Sequence, residues 1–210
     1  MIRLIPLLTL MAVLAYSSLE AKKQLNFKQI TTNNGLKHNN ITDIIQDHQG
    51  FLWFGTENGL HRFDGEDIKV FIHKSNDSTT IAGNVIYEIF KDRNKTLWVA
   101  TNAGFNKFNR EKENFTRIGL LQNSNTSKEI TYEYYVPATA ESKNGEIYVS
   151  WGNHGIWKYK DNKKILVPFP VEDKAGSPFK MGNIVEMFID SDNNLWMGSK
   201  SEGLFLFDHC

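Results

Sequence analysis

The chain has 210 residues, with Lys+Arg and Asp+Glu equal at 24 each and aromatics at 12%. That balance excludes the global basic field of a nucleic-acid binder and the acidic tail of a solvating segment, and the length allows one substantial core or two small ones. Gly numbers 15 while long apolar helical stripes are scarce, so the expected class is all-β, with many short strands joined by turns.

In chain order, Arg3 precedes the apolar run from Leu4 to Tyr16, and small polar residues follow. This is the outline of an export signal. The run is shorter than the ~20 residues a spanning helix needs. Ala15 and Ser17 are small residues at both cleavage-determining positions, which puts cleavage after Ser17 first and after Ala21 second. Residues 1–21 are therefore taken as the leader, an uncleaved anchor being the alternative. An exported chain could form disulfides, but the single cysteine is Cys210, so no internal bridge is expected and stability must come from packing.

The stretch DHQGFLWFGTENGLHRF, Asp47 to Phe63, recurs from Asp92 to Phe108, from Ser142 to Tyr159 and from Asp190 to Phe207. The leading Asp or Ser precedes an aromatic by six residues in every copy, at Trp53, Trp98, Tyr148 and Trp196. The later Gly precedes a closing aromatic by four, so Gly59, Gly104, Gly155 and Gly203 are paired with Phe63, Phe108, Tyr159 and Phe207. The period, read from the first aromatic of each copy, is 45, 50 and 48 residues. Within the first copy Ile41 to Gln46, Phe51 to Thr56, Leu60 to Phe63 and Ile68 to Ile72 read as four strands separated by turns. A four-stranded antiparallel unit at a period of about 40 to 50 residues is a β-propeller blade. About four blades are expected, over residues 36–73, 81–120, 131–171 and 182–210. The last is expected to be incomplete.

The repeated residues have structural duties in this reading. Gly50 supplies the turn's positive φ, a duty left to Asn94 or Lys95 and to Asn193 or Asn194 in other copies. The large rings fill the wedge between blades, and Gly55, Ala100, Ser150 and Gly198 keep the second strand slim near the axis.

The pattern D-x-x-G-x-L-W-x-G-T-x-x-G-L-x-x-F resembles the two-component regulator propeller repeat, over residues 27 to 210. The resemblance implies the amino-terminal part of a periplasmic sensor region from a hybrid two-component histidine kinase of the Bacteroides type, and with it an incomplete propeller, about half of a seven-bladed one. It implies an oligosaccharide ligand, further propeller blades or a second protomer as partners, and a membrane helix and kinase elsewhere in a longer parent. No kinase His box or nucleotide-binding glycines occur within these residues, so this chain is expected to bind and not to catalyse, without cofactor or nucleic acid.

Propellers bind ligands on the face formed by the loops before the first strand and between the second and third. Here that face draws on Asn39, Asn40, Glu57, Asn58, Asn102, Trp151, Asn153, His154 and Glu202. Carboxamides and carboxylates suit sugar hydroxyls, and an aromatic plate suits a pyranose face. Trp151 stands where Thr56, Thr101 and Ser199 stand in the other copies. Its ring either stacks on a ligand or covers the channel mouth or a neighbouring blade. The histidines lie singly, with no paired spacing, so no metal is assigned. Tyr132, Tyr134 and Tyr135 are expected to lead into the third blade, and 74–80, 122–129 and 173–177 to be exposed loops. An exported propeller enzyme acting on glycans is the main alternative, for which Glu57 and Glu202 would be the carboxylates. A passive envelope scaffold is the other.

Overall fold

The computed structural model describes residues 26–120, 138–152, 155–169 and 183–208. The expected leader, Tyr132, Tyr134, Tyr135, Asn153, His154 and the loops at 122–129 and 173–177 lie outside these residues. Strands β1 (Ile41–Gln46), β2 (Leu52–Thr56), β3 (Gly59–Phe63) and β4 (Ile68–Phe71) form the first antiparallel sheet. The second unit comprises β5 (Ile86–Lys91), β6 (Leu97–Thr101), β7 (Gly104–Asn109) and β8 (Asn114–Leu120). The third comprises β9 (Thr139–Glu141), β10 (Ile147–Ser150), β11 (Ile156–Lys160) and β12 (Ile165–Pro168). β13 (Ile184–Ile189), β14 (Leu195–Ser199) and β15 (Gly203–Phe207) complete the described strands. One short 3-10 turn, Thr32–Asn34, lies ahead of β1.

The all-β expectation holds. Sequence-adjacent strands pair within each blade, and the same β-bulge recurs on the first strand at Ile41/Asp43, Ile86/Glu88 and Ile184/Glu186. A bulge inserts one residue and sharpens the twist, which suits the strand nearest the axis. The expectation of separate four-stranded sheets needs one correction. β8 runs to Leu120 and pairs in parallel with β12, through Ile165 with Gly119 and Leu166 with Leu120, so the second and third blades share one eight-stranded sheet.

The tight turn after the first strand places a positive φ three residues beyond the leading Asp or Ser each time, at Gly50, Lys95, Gly145 and Asn193. Lys95 and Asn193 therefore take the left-handed position, not Asn94 or Asn194, because the turn's closing hydrogen bond fixes its length at Lys95 N–H to Asp92 O and Asn193 N–H to Asp190 O.

Cores form between blades. Trp53 stacks on Phe71 at 5.5 Å and meets Phe108 of the next blade edge-on at 5.0 Å. Trp98 stacks on Phe105 at 5.3 Å and meets Tyr159 of the next blade at 4.8 Å. Tyr148 contacts Phe169, which in turn meets Phe207 at 5.3 Å. Edge-to-face pairs at these separations are favourable beyond the apolar area they bury.

Candidate functional site

The loops entering the first blade and joining β2 to β3 meet at Glu57. Its Oε1 accepts the Asn40 carboxamide N–H at 2.8 Å, and its Oε2 lies 3.6 Å from His38 Nε2. His38 Nδ1 accepts the Asn40 backbone N–H at 3.1 Å, which fixes the ring's direction. The entry loop is itself built by the 3-10 turn. Thr31 caps it, and the Asn39 carboxamide oxygen accepts Thr32 N–H at 3.0 Å. His38, Asn40 and Glu57 thus form an exposed cluster with both donor and acceptor atoms, and Asn58 stands exposed beside it.

Asn39 and Asn102 are exposed as well, and the carboxamide oxygen of each also braces its loop. The Asn102 carboxamide oxygen accepts Val85 N–H at 3.2 Å, and a Cβ on Gly83 would sit 2.2 Å from that oxygen, so any larger residue there would displace the carboxamide. Glu202 is exposed in the β14–β15 turn, where its backbone N–H bonds Ser199 Oγ at 3.2 Å. Trp151 is 2% exposed and packs among the apolar residues between the second and third blades, its ring 6.3 Å from that of Trp157. This corrects its place among ligand-facing residues: the buried ring covers the neighbouring blade.

Sequence reasoning passed over the first-strand carboxylates. Asp43, Glu88 and Glu186 pair with Gly55, Ala100 and Gly198 at the bulge, in the first, second and fourth blades. Asp43 Oδ2 accepts Ile89 N–H of the neighbouring blade at 2.6 Å. Burial pushes the Glu88 carboxyl up to about 8; the polar groups of Thr139 in the next blade oppose this, and the charges of Asp43 and Glu186 add to it. The signal was present as an acidic residue four positions before the turn aspartate: Asp43 before Asp47, Glu88 before Asp92, Glu186 before Asp190. Among the described residues no group of three His, Cys, Asp or Glu is placed to hold a metal ion.

His61 is buried on β3, and its Nε2 accepts Lys37 N–H at 2.9 Å, tying the entry loop to the blade. Sequence reading saw only an unpaired histidine, because the contact spans 24 residues.

The two-component regulator propeller family model matches residues 35–58 and 80–103. Histidine kinase P4 of Formosa agariphila is 38% identical over 73 residues, which is 35% of this chain and 5% of that protein. The extracellular domain of a B. thetaiotaomicron protein described as a hybrid two component system superimposes with a TM-score of 0.65 at 19% identity. The match covers 84% of this chain and 22% of that one. Virginiamycin B lyase from Staphylococcus aureus, in a catalytically inactive form with quinupristin, gives a TM-score of 0.55 at 15% identity, over 83% of this chain and 57% of the lyase chain. The chain thus spans about a fifth of that extracellular domain and a far smaller share of the kinase, and structural likeness at these identities speaks for the fold. No helix among the described residues is long and apolar enough to cross a membrane.

Proposed function

We propose that the chain, which matches the two-component regulator propeller model over residues 35–58 and 80–103, is a ligand-sensing part of a longer two-component signalling protein. The ligand is an oligosaccharide from glycan breakdown, bound on the loop face around His38, Asn40, Glu57 and Asn58. The carrying observation is the Asn40–Glu57–His38 cluster: it is exposed, it is held in one geometry by its own hydrogen bonds, and it offers donors and acceptors of the kind that vicinal hydroxyls match. The leader at residues 1–21 would deliver this face to the periplasm. Signal output lies with the parent protein, where ligand binding would bias the relative pose of propellers in a dimer and a membrane helix would pass the change to a kinase.

In this reading the chain binds and does not transform its ligand. The lyase neighbour supports only the capacity of the fold to host chemistry, since function resides in the site. The test is titration calorimetry of the chain against a panel of neutral, uronic and sulfated oligosaccharides. Saturable binding that weakens about tenfold or more in Glu57→Gln and Asn40→Ala is the expected result, the loss of a charged hydrogen bond being worth roughly 1.5–3 kcal/mol. Absence of binding across the panel, or binding indifferent to both substitutions, overturns the assignment.

A further inference from the structure

His61 is wholly buried, and its Nε2 accepts the Lys37 N–H. A ring nitrogen that accepts carries no proton, so the neutral ring holds its proton on Nδ1. The carbonyls of Gly59 and Phe54 face the ring from its own blade, while Nδ1 makes no hydrogen bond of good geometry.

The second blade contains the same device without a titratable group. Asn106 occupies the matching position, two residues after Gly104 as His61 is two after Gly59. Its Oδ1 accepts Ala82 N–H at 2.9 Å, and its Nδ2 donates to the carbonyls of Val99 and Gly104 at 3.0 and 3.1 Å. Ala82 lies in the segment entering the second blade, as Lys37 lies in the segment entering the first. In both blades a buried polar side chain pins the incoming loop by one backbone N–H. Only in the first does the pinned loop carry His38 and Asn40, and only there can the pin change its charge.

We infer that His61 is the positioning residue of the candidate ligand face: its neutral ring holds the Lys37–Asn40 segment against the blade, and protonation of the ring releases that segment and weakens ligand binding. The imidazolium is a donor at both nitrogens, so its Nε2–H would confront the Lys37 N–H, and the latch has no acceptor left. Across the sheet His61 pairs with Phe54 of β2 and Val70 of β4, neither of which titrates. On the entry loop the charge acting on the ring is that of Lys37. Burial foremost, and the Lys37 charge after it, lower the ring's pKa against the opposing pull of the Gly59 and Phe54 carbonyls. The latch therefore stays closed at neutral pH and opens as pH falls through the lowered value. The effect on ligand binding rests on the sugar-sensing reading above; the latch does not.

The experiment is NMR on the full chain. Ring ¹⁵N shifts of His61 at about pH 7.5 should show the Nδ1–H tautomer. Amide exchange at Lys37, corrected for its intrinsic rate, should speed up about tenfold per pH unit once the ring titrates. His61→Asn, which borrows the second blade's residue, should keep Lys37 protected throughout. An Nε2–H tautomer in the wild type, or the same acid loss of protection in His61→Asn, overturns the latch. In parallel, oligosaccharide affinity should fall with pH in the wild type and not in His61→Asn. Equal pH dependence in both, with the latch opening as expected, overturns the gating of ligand. If no oligosaccharide binds at any pH, the sugar reading fails while the Lys37 amide still decides the latch.

Discussion

Asp47 collects four hydrogen bonds on one carboxylate: from the N–H groups of Gln49 at 2.8 Å and Phe51 at 3.1 Å, from the Trp53 indole at 2.9 Å and from Arg110 at 3.0 Å. The six-residue step from aspartate to tryptophan has this physical cause, since it recurs as Asp92 with Trp98 at 2.9 Å and Asp190 with Trp196 at 2.8 Å. The third copy changes both partners together: Ser142 replaces the aspartate, and Tyr148 donates to Glu146 instead. Burial alone would raise the Asp47 carboxyl, but the Trp53, Gln49 and Arg110 bonds outweigh it and hold it below the usual carboxylate range. Its contribution to stability is thus present above the unfolded carboxyl's pKa and is lost as pH falls through the lowered folded value. Asp47→Ala strands several buried donors and a guanidinium, and should cost about 3–5 kcal/mol by urea unfolding at neutral pH. Glu88 carries the opposite sign. With a folded pKa raised to about 8 from an ordinary 4.5, it stabilises fully below the unfolded value, and that stability drains away as pH rises to the folded one. Glu88→Gln should therefore flatten the fall in melting temperature between about pH 5 and pH 8, and an unchanged slope would count against the assignment.

At the scale of strands and turns, the motif's two aromatics are opposite halves of one joint. The tryptophan of one blade receives the closing aromatic of the next, Phe108 against Trp53 and Tyr159 against Trp98. Cations knit the turn side of the ring in the same direction. Arg93 donates to the carbonyls of Ser142 and Lys143, and Lys143 in turn donates to that of Ser191. The β2 glycine shows how tightly the inner strands approach. A Cβ on Gly55 would lie 2.7 Å from Thr42 Oγ1 and 2.8 Å from Ile86 Cγ2 of the next blade, whereas one on Gly198 would find Glu186 Cβ at 3.8 Å. Gly55→Ala should cost about 1–3 kcal/mol, and Gly198→Ala close to nothing, in paired denaturant melts. The 74–80 segment, expected as a loose exposed loop, is gathered by Arg117 of β8, whose guanidinium donates to the carbonyls of Asp77 and Thr80 at 2.9 Å each and to Thr80 Oγ1 at 3.0 Å. Arg117→Met should leave the sheets intact while limited proteolysis becomes faster within that segment.

Across the whole molecule, equivalent residues have unequal environments. Leu60, Phe105 and Ile156 occupy one repeat position and are buried against a following blade, whereas Leu204 at the same position is 65% exposed and Phe188 nearby 63%. Leu60→Ala should therefore cost about 2–5 kcal/mol and Leu204→Ala less than about 0.5, although the two leucines are indistinguishable within their motifs. Comparable losses at both positions would mean that the β13–β15 face is covered in solution.

The repeat, its strands and its turns were legible because each is written within a few residues: alternation for a half-buried strand, an aspartate and a left-handed residue for a tight turn, an aromatic at a fixed step. The exposed Asn40 and Glu57 were legible as candidates for the same reason, since loop chemistry follows from position in the repeat. Tertiary structure alone decided that the carboxamide oxygens of Asn39 and Asn102 accept backbone N–H groups, that Trp151 is buried, that β8 joins β12, and that His61 meets Lys37. Those outcomes depend on contacts between separate loops or blades, over separations that no local pattern encodes. A motif records which residues a blade needs; only packing against the neighbouring blade assigns each one to core, latch or open face.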